Sequence, residues 1–330
     1  MTKFMDGEQE PLDAVIIGAG MAGMAVARRL SDGGLKVLVL EKSRALGGRM
    51  STRVVANRGL TFDHGAQYVR GQSAPFLETV ARLKATGHVM PWAPNGGADF
   101  DADGVIVGAP HMRDFVKPLA EGLTVHFETL VQRVERQGGQ SGQWHIHTDQ
   151  GAVVAKSLVS TIPAPQAARL FANYDTDVLE TVEMAPCWAL MAAFDASLPT
   201  DFECRRHASE NLGWIARNNT KPGRAEVETW VAHALPQWTQ AHLEMTREDV
   251  APLLLEEMRS TMGLQDMPAP TWLRAHRWRY AQTIKALGQD YLARCDGTLL
   301  IGGDWCIGAR VEAAFTSGAA MADAVLSGAP

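Results

Sequence analysis

The sequence predicts an α/β fold divided between two domains. At 330 residues the chain is long enough for about two domains of ordinary size. Near its start, two short apolar runs enclose a segment with small and apolar residues at helical spacing, which is the pattern of a β-α-β unit with parallel strands. Six of the nine tryptophans lie in the stretch 188–278, where longer strands mix with a helix. This change indicates a second, α+β domain built on a mixed sheet.

Hydropathy patterns place the individual elements. Short runs of branched apolar residues predict buried strands, and Phe76, Val80 and Leu83 mark one face of a helix. In chain order we predict a strand at 13–17, a helix at 21–32, a strand at 36–40, helices at 75–86 and 111–120, strands at 123–128, 143–148, 153–155, 157–162, 188–194 and 226–233, a helix at 247–261, a strand at 298–301 and a helix at 310–326.

The C-terminal segment returns to the pattern of the first domain. A buried strand, a Gly-Gly-Asp turn and an Ala-rich helix repeat the strand, turn and helix order found at the start. We therefore expect a discontinuous first domain that closes with the end of the chain. The predicted boundaries are residues 11–70, 111–168 and 286–330 for the first domain, 71–110 and 169–285 for the substrate domain, and 1–10 for a flexible tail.

Composition and charge exclude several classes of function. The 31 Lys and Arg are outnumbered by 37 Asp and Glu, so the chain lacks the positive field that nucleic acid requires. No segment approaches the roughly 20 apolar residues of a membrane span, and the acidic start does not fit a signal peptide. The four cysteines show no C-x-x-C spacing, which argues against disulfides and a zinc site. We expect a cytoplasmic protein with neither a nucleic-acid nor a membrane partner.

A glycine-rich turn follows the first predicted strand and opens the first predicted helix. Gly18, Gly20 and Gly23 fit the pattern G-x-G-x-x-G. In that pattern the first glycine allows the tight turn, the second lets a pyrophosphate approach, and the third brings helix against strand. Glu41 ends the next strand, where a carboxylate can bind a ribose hydroxyl. This context predicts a Rossmann-type dinucleotide site whose phosphates meet the helix N-terminus.

Two further motifs favour FAD over NAD as the bound dinucleotide. A Gly-Gly-Arg string ending at Arg49 follows the second strand, where a guanidinium can bind the pyrophosphate. A Gly-Gly-Asp string ending at Asp304 follows a strand and precedes the last helix, which would place a carboxylate near a sugar-alcohol chain such as ribitol. A plain NAD site needs neither motif.

In this order the motifs resemble those of the flavin-containing amine oxidase superfamily, whose members bind FAD in a discontinuous Rossmann-type domain of the glutathione-reductase-like type. The similarity covers nearly the whole chain. Longer strings resemble the renalase family within that superfamily, especially its bacterial members. These strings are residues 48–53, 63–68, 276–281 and 303–315.

The resemblance implies roles for individual residues. Glu41 and Asp304 match the positions that bind ribose and ribitol, and Val131 lies where the superfamily offers backbone atoms to the adenine. FAD is expected to be non-covalent, because neither Cys295 nor Cys306 lies in the covalent-cysteine motif of amine oxidases. The full set of implied cofactor-binding residues is Gly18, Gly20, Ala22, Gly23, Glu41, Lys42, Gly48, Arg49, Gln67, Tyr68, Val131, Asp304 and Val311.

The renalase resemblance also implies a reaction. Enzymes of that family oxidise misreduced NAD(P)H, the 2- and 6-dihydro isomers, to NAD(P)⁺ and pass the electrons to O₂, which becomes H₂O₂. No Ser/His/Asp arrangement or metal-ligand cluster is recognisable in the sequence, which agrees with a reaction governed by substrate positioning. A helix taken to begin at Cys306 is expected to stabilise negative charge on the reduced flavin through its dipole.

Two other functions stay open from the sequence alone. The protein could oxidise a small amine between aromatic rings, for which two of its four tyrosines would have to form a cage. It could also bind FAD without catalysis and act through a partner. Reduction of the flavin by amines, or by none of these reductants, distinguishes the alternatives.

Several residues are candidates for the substrate side of the flavin. His64 either contacts substrate or holds its own loop through a hydrogen bond. The run 272–280 either binds phosphates and stacks on a ring, or places aromatic rings on one strand face and solvated charges on the other. Lys285 is either the lysine that many superfamily oxidases place near flavin N5 or a surface lysine. The candidates for lining the flavin face are His64, Tyr68, Trp278, Arg279 and Tyr280.

Overall fold

A computed structural model describes residues 11–97, 100–138 and 142–328, so the predicted tail at 1–10 lies outside the described residues. The chain divides into two compact units. Unit 1 contains the described parts of Met1–Gly48, Val116–Met184 and Thr283–Pro330, and unit 2 those of Arg49–Phe115 and Ala185–Gln282. Both units are discontinuous in the sequence.

The described residues form far more strands than helices, and several strands often follow one another without a helix between them. The strands are β1 (Leu12–Ile17), β2 (Val37–Leu40), β3 (Thr52–Val55), β4 (Leu60–Asp63), β5 (Val89–Pro91), β6 (Ile106–Gly108), β7 (Thr124–His126), β8 (Val131–Gln137), β9 (Gln143–Thr148), β10 (Gly151–Ser160), β11 (Glu183–Phe194), β12 (Cys204–Arg206), β13 (Leu212–Arg217), β14 (Glu228–Ala234), β15 (Trp272–Lys285), β16 (Tyr291–Arg294) and β17 (Leu299–Gly302). The helices are α1 (Met21–Asp32), α2 (Ala74–Ala85), α3 (Ala164–Leu170), α4 (Pro236–Ala241), α5 (Arg247–Met262) and α6 (Val311–Ser327).

Unit 1 is built on a sheet with the strand order β16-β17-β10-β1-β2-β7, to which β9 and β8 are added beside β10. The β1 strand pairs in parallel with β10 and β2, and β17 pairs in parallel with β10. The central strands are buried because their residues are apolar on both faces, as parallel strands covered by helices require. The predicted Rossmann-type α/β architecture is therefore confirmed.

Helix α6 packs closely across the first half of α1. A Cβ atom at Gly318 would lie 2.4 Å from the carbonyl oxygen of Ala22, so only glycine permits this approach. The C-terminal strand β17 and helix α6 thus complete the unit that the first β-α-β segment begins.

Unit 2 contains the sheet β12-β13-β14-β11-β15. Its strands β12, β13, β14 and β11 pair in antiparallel fashion. Alternate residues such as Trp188, Leu190 and Trp230 pack on one face against Val250 and Leu254 of α5. The residues between them point to the opposite face, where β4 supplies Leu60 and Phe62 to a small cluster with Met191, Ala193 and Val231.

Three element predictions need correction. The helix predicted at 111–120 is instead two short 3₁₀ helices, Met112–Phe115 and Lys117–Ala120, because Pro118 cannot donate the backbone hydrogen bond that a continuous helix needs. The strands predicted at 153–155 and 157–162 are the single strand β10. The helix taken to begin at Cys306 begins at Val311, and Cys306 closes a separate 3₁₀ helix, Asp304–Cys306.

Candidate active site

The glycine turn between β1 and α1 is shaped first by packing. Gly18 has φ +104°, and a Cβ there would lie 2.8 Å from Oγ1 of Thr161. A Cβ at Gly23 would lie 1.9 Å from the carbonyl oxygen of Gly18. These two glycines are therefore required by the fold of unit 1 itself, whether or not a ligand is bound.

Gly20 differs from its two neighbours in the motif. Its φ is −83°, which any residue can adopt, and the nearest atom to a Cβ would be the carbonyl oxygen of Gly47 at 4.0 Å. The protein's own packing therefore does not require glycine here. The helix that begins at Met21 also lacks a side-chain cap on its first N–H groups. An open space above uncapped N–H donors is what a pyrophosphate needs, so the turn fits FAD.

Glu41 is held beside this turn at the end of β2. It is only 6% exposed, and its Oε2 accepts a hydrogen bond of 2.8 Å from the backbone N–H of Ala19. Its Oε1 accepts hydrogen bonds from the backbone N–H and the hydroxyl of Ser43. Two carboxylate oxygens have about four acceptor positions, so Glu41 retains capacity for a ribose hydroxyl.

A second glycine turn packs against the first. The backbone N–H of Gly47 donates to the carbonyl oxygen of Ala19 at 2.9 Å. Gly48 has φ +51°, and a Cβ there would lie 3.5 Å from Cα of Gly20. Lys42 extends from the same region to Gln166, 3.4 Å from its Oε1, and Val131 is the first residue of β8. Of the predicted cofactor residues, unit 1 brings Gly18, Gly20, Ala22, Gly23, Glu41 and Gly48 to one region at the carboxyl ends of β1 and β2.

The last strand of unit 1 leads to a buried carboxylate. Gly303 has φ +151°, and its N–H donates to Oγ of Ser317 at 2.9 Å. Asp304 is 6% exposed, and the hydroxyl of Thr283 lies 3.4 Å from its Oδ2. Burial raises the pKa of the adjacent Cys306 thiol to about 12, so this thiol is a weak nucleophile.

Helix α6 starts five residues after Cys306, and its N-terminus carries an acidic residue. Arg310 precedes the helix without a side-chain cap, and Glu312 is buried in the first turn. The dipole end that the sequence assigned to Cys306 is thus at Val311. An ionised glutamate in the first turn of a helix opposes the positive end of the helix dipole for any other anion.

In unit 2, the segment after β4 is held by a buried ion cluster centred on Asp63. Oδ1 of Asp63 accepts from the hydroxyl of Thr52 at 2.7 Å and from the N–H of Met112 at 3.1 Å. Its Oδ2 lies 3.2 Å from Nζ of Lys221 and 2.5 Å from the guanidinium of Arg224. The three charged side chains are at most 1% exposed.

The charges of this cluster do not balance. Burial alone would raise the pKa of Asp63, but Lys221 and Arg224 hold it far below its usual range. Burial lowers the pKa of Lys221 to about 8, although Asp63 opposes that shift. With two cations and one carboxylate, this cluster carries a net positive charge at neutral pH.

The same segment carries two of the predicted cofactor residues. The side-chain amide of Gln67 donates to backbone carbonyls of Asp63 and Gly65, and its Oε1 accepts from Lys221 and from the indole N–H of Trp214. Gln67 is therefore fully engaged within unit 2. Tyr68, the next residue, is half-buried and faces Trp214 at 5.7 Å between ring centroids.

Arg49 is the first residue of unit 2 and contacts the segment that follows β4. Its carbonyl oxygen accepts from the N–H of Ala66 at 2.8 Å, and its guanidinium donates to the carbonyl oxygen of Ala281 at 3.2 Å. A Cβ at Gly65 would lie 1.9 Å from the carbonyl oxygen of Arg49, so glycine is needed there. The strings 48–53, 63–68 and 276–281 thus meet in the part of unit 2 that follows Gly48.

Three histidines cluster on the face of the sheet opposite α5. The rings of His64 and His276 lie 4.7 Å apart, and Trp278 contacts both rings. Nε1 of Trp278 donates to the carbonyl oxygen of His64 at 2.8 Å, and the ring of His233 also bonds to the backbone of His64. Among the described residues, Nδ1 of His64, Nε2 of His233 and Nδ1 of His276 are buried without a hydrogen-bond partner.

Burial keeps all three rings uncharged at neutral pH. It lowers the pKa of His64 and of His233 to about 4 and that of His276 to about 3. Nearby cations such as Arg53 act in the same direction on His64 and His276. The cluster therefore offers unpaired ring nitrogens of neutral imidazoles, which can bind a polar ligand but do not titrate near pH 7.

Two arginines of the predicted basic run on β15 form ion pairs with one carboxylate. The guanidinium of Arg279 makes two bonds of 2.8 Å to the carboxylate of Glu244, and Arg277 reaches the same group. Tyr280 is half-buried, and Lys285 is exposed at the end of the strand, in unit 1. Of the substrate-side candidates, the structure brings His64 and Trp278 into contact and engages Arg279 elsewhere.

Several residues that shape this region lie in no sequence motif. They are Lys221, Arg224, His233 and Trp214, of which Trp214 is one of the six tryptophans in the stretch 188–278. A buried lysine cannot be told from a surface lysine in a single sequence, because its partner Asp63 is 158 positions away. The one available signal was the string 63–68, whose side chains are the ones that these residues contact.

The profile of the flavin-containing amine oxidoreductases matches residues 98–326, and that of the NAD(P)-binding Rossmann-like domain matches residues 16–83. The chain belongs to the flavin-containing amine oxidoreductase family. Together with the open glycine turn, family membership makes this an FAD-dependent oxidoreductase.

Individual relatives of the family share either short segments of sequence or the fold. The chain is 36% identical over 128 residues to all-trans-retinol 13,14-reductase of Rattus norvegicus, a match that covers 39% of this chain and 20% of that enzyme. Cyclohexylamine oxidase from Brevibacterium oxydans IH-35A superposes with a TM-score of 0.70 at 15% identity, over 96% of this chain and 99% of that chain. Putrescine oxidase bound to putrescine superposes with a TM-score of 0.71 at 13% identity, over the same shares. The TM-scores of the two oxidases show that this chain shares their fold.

No described helix of this flavin oxidoreductase is both long and apolar enough to cross a bilayer. The first turn contains two kinds of glycine: Gly18 and Gly23, which packing requires, and Gly20, which it does not. Substitutions can distinguish them by experiment.

The variant Gly20→Leu is expected to weaken FAD binding without unfolding the protein. A side chain there enters open space, so the apoprotein keeps its stability, whereas FAD affinity falls by about tenfold or more because the pyrophosphate cannot approach. Leucine at Gly23 is the contrast, since its Cβ meets a backbone oxygen at 1.9 Å and should destabilise the fold by about 1–3 kcal/mol or more. Flavin absorbance per protein and thermal melting of the apoproteins measure both effects. Equal melting losses in the two variants would contradict this division of roles.

Proposed function

We propose that this flavoprotein oxidises isomeric dihydronicotinamide dinucleotides, the 2- and 6-dihydro forms of NAD or NADP, to NAD(P)⁺, with O₂ as acceptor and H₂O₂ as product. FAD supplies the hydride acceptor and returns the electrons to O₂. The chain's own residues then have to bind the substrate, orient its ring and keep protons away from it. The proposal places the protein in a renalase-like branch of its family.

The observation that carries the proposal is the cluster of three neutral histidines in unit 2. A dihydropyridine becomes aromatic when it loses hydride, so no base has to remove a proton. The same ring is damaged by acid, which protonates its enamine carbon. Because burial holds the pKa of His64, His233 and His276 far below 7, these rings can bond to a carboxamide without delivering a proton.

The contact between two sequence strings supports the same reaction. The strings 63–68 and 276–281 both resemble renalases, and the bond from Trp278 to the backbone of His64 joins them. We propose that His64, Tyr68, Trp278 and Tyr280 line the substrate position. Arg279 is not included, because Glu244 already binds its guanidinium at two points.

The cofactor contacts belong to the same proposal. We propose that FAD is non-covalent and is held by the residues that the resemblance indicates. Glu41 would bind the ribose, Asp304 the ribitol and Val131 the adenine. The high pKa of the Cys306 thiol agrees with a cofactor that is not attached there.

Anaerobic mixing of the holoprotein with an equilibrated NADH preparation that contains the isomers tests the proposed reaction. Rapid bleaching of the flavin, with an amplitude proportional to isomer content and reversal by air with release of H₂O₂, is the expected result. Pure 4-dihydro NADH is the matched control and should leave the flavin oxidised. If the isomers also leave it oxidised, the proposed substrate class is wrong.

Amine oxidation is the second candidate, and one observation favours it. Tyr68, Trp92, Phe100 and Trp214 form a connected aromatic cluster in unit 2, with centroid distances of 5.4 to 6.5 Å. Such rings can bind an alkyl amine. Flavin bleaching by a primary or secondary amine, under the same anaerobic conditions, would replace the first proposal by this one.

A further inference from the structure

The aromatic cluster of Tyr68, Trp92, Phe100 and Trp214 is surrounded by cations. The guanidinium of Arg206 lies 5.7 Å from the ring centroid of Tyr68 and donates to the phenol oxygen. The guanidinium of Arg70 lies 5.7 Å from the same centroid and 5.8 Å from that of Phe100. Nζ of Lys221 lies 5.2 Å from the ring of Trp92. The rings are therefore already paired with cations of the protein itself.

Of these three cations, only Lys221 makes an ion pair within the part of the chain that the structure describes. Its partner Asp63 is shared with Arg224. In residues 11–97, 100–138 and 142–328, neither Arg70 nor Arg206 has a carboxylate within salt-bridge distance. Arg70 donates to a backbone carbonyl, that of Asp101, and its Nε is buried without a partner.

Other arginines of unit 2 show that this is not the general pattern. Arg217 reaches Glu228 at 3.3 Å, and both Arg277 and Arg279 reach Glu244. Unpaired arginines beside an aromatic cluster produce a positive potential, which repels a protonated amine and attracts an anion. A planar guanidinium is also suited to the oxygens of a phosphate.

We infer that Arg70 and Arg206, whose guanidinium groups each lie 5.7 Å from the centroid of the Tyr68 ring, form a subsite for the phosphate groups of the substrate, with the aromatic cluster beside it for a planar ring. This inference rests on the proposed function and deepens it, because it selects phosphorylated dihydronicotinamides over unphosphorylated ones and over amines. Arg206 is exposed and can exchange the phenol of Tyr68 for a phosphate oxygen. Arg70 is half-buried and supplies a fixed charge.

The variant Arg206→Gln tests the subsite, and Arg205→Gln is its matched control. Successive residues of β12 point to opposite faces, and Arg205 lies over Phe202 at 4.1 Å, away from Tyr68. With 6-dihydro-NAD as substrate, R206Q is expected to raise KM by about tenfold or more while kcat stays nearly unchanged, because one charge-assisted hydrogen bond is lost. R205Q should change neither constant.

A substrate that lacks phosphate shows whether the effect of R206Q on KM depends on phosphate binding. With 6-dihydronicotinamide riboside, R206Q should match the wild type, because no phosphate is present to lose a contact. R206K keeps the positive charge but lacks the paired N–H donors of a guanidinium, so it should recover part of the affinity for the dinucleotide. Equal increases in KM for both substrates, or no increase for either, would overturn the subsite.

A binding measurement separates failure of the subsite from failure of the proposed function. Titration of the FAD-loaded protein with ADP-ribose, followed by tryptophan fluorescence, requires no turnover. R206Q should lower the affinity for ADP-ribose by about tenfold or more and leave the affinity for adenosine unchanged. If the isomers are not oxidised but this difference is found, the reaction is wrong and the phosphate subsite stands. If ADP-ribose binds both proteins equally, the subsite is wrong even when the isomers are oxidised.

Discussion

Replacing Asp63 by asparagine is expected to lower the free energy of unfolding by about 3–5 kcal/mol. The substitution keeps the shape of the side chain but removes the one carboxylate that Lys221 and Arg224 share. Two buried cations then face each other without a counter-charge. Urea unfolding of the holoprotein at pH 7 measures the loss.

The variant Lys221→Met is the comparison for Asp63→Asn. It removes one of two cations and leaves Asp63 balanced by Arg224, so the loss should be clearly smaller than that of Asp63→Asn, although both break the same 3.2 Å contact. The double variant should be more stable than Asp63→Asn alone, because only one buried cation then lacks a partner. Equal losses in the two single variants would show that the contact, and not the charge balance, stabilises this part of unit 2.

This cluster also shows where prediction from the sequence ended. Helix α1 and strand β9 have the bounds that hydropathy predicted, because local periodicity decides elements of this kind. The glycine turn was equally accessible, since Gly18 and Gly23 are fixed by contacts with their own β-α-β unit. The helix predicted at 111–120 was wrong because the segment contains Pro118, which interrupts a helix even where the apolar residues have helical spacing.

The centre of unit 2 was inaccessible for a different reason. Asp63, Lys221 and Arg224 come from segments about 160 positions apart, and only the folded sheet joins them. His64 and His276 could be singled out because they lie in the recognisable strings 63–68 and 276–281. His233 lies in no motif, and only the folded sheet brings it to the backbone of His64. Burial, which sets the charge of all these groups, is a property of the fold and not of any short segment.

The three histidines are expected to make the protein lose stability steeply as the pH falls below about 6.5. Burial lowers the pKa of each ring from 6.5 to about 4 for His64 and His233 and to about 3 for His276. Between pH 6.5 and 4 the unfolded chain therefore binds protons that the folded protein does not. Acid then favours unfolding, and the contribution of the neutral rings to stability is complete only above pH 6.5.

The size of the effect follows from the unfolded state. At pH 5.5 each unfolded histidine is mostly protonated, which stabilises the unfolded chain by about 1.4 kcal/mol per ring relative to pH 7.5. The three rings together should lower the free energy of unfolding by about 4 kcal/mol over this range. Urea unfolding of the holoprotein at several pH values, with excess FAD, gives the slope.

The variants His276→Gln and Trp278→Phe decide whether these rings cause the slope. His276→Gln removes one titrating group and should reduce the loss between pH 7.5 and 5.5 by about a third, whatever its effect at pH 7.5. Trp278→Phe removes the bond to His64 and lowers stability without removing a titrating group, so its curve should be displaced but parallel to that of the wild type. A parallel curve for His276→Gln would mean that its ring is already protonated in the folded protein at pH 5.5. The cluster could then deliver a proton to a bound dihydropyridine, and the argument that links neutral histidines to the proposed substrate would fail with it.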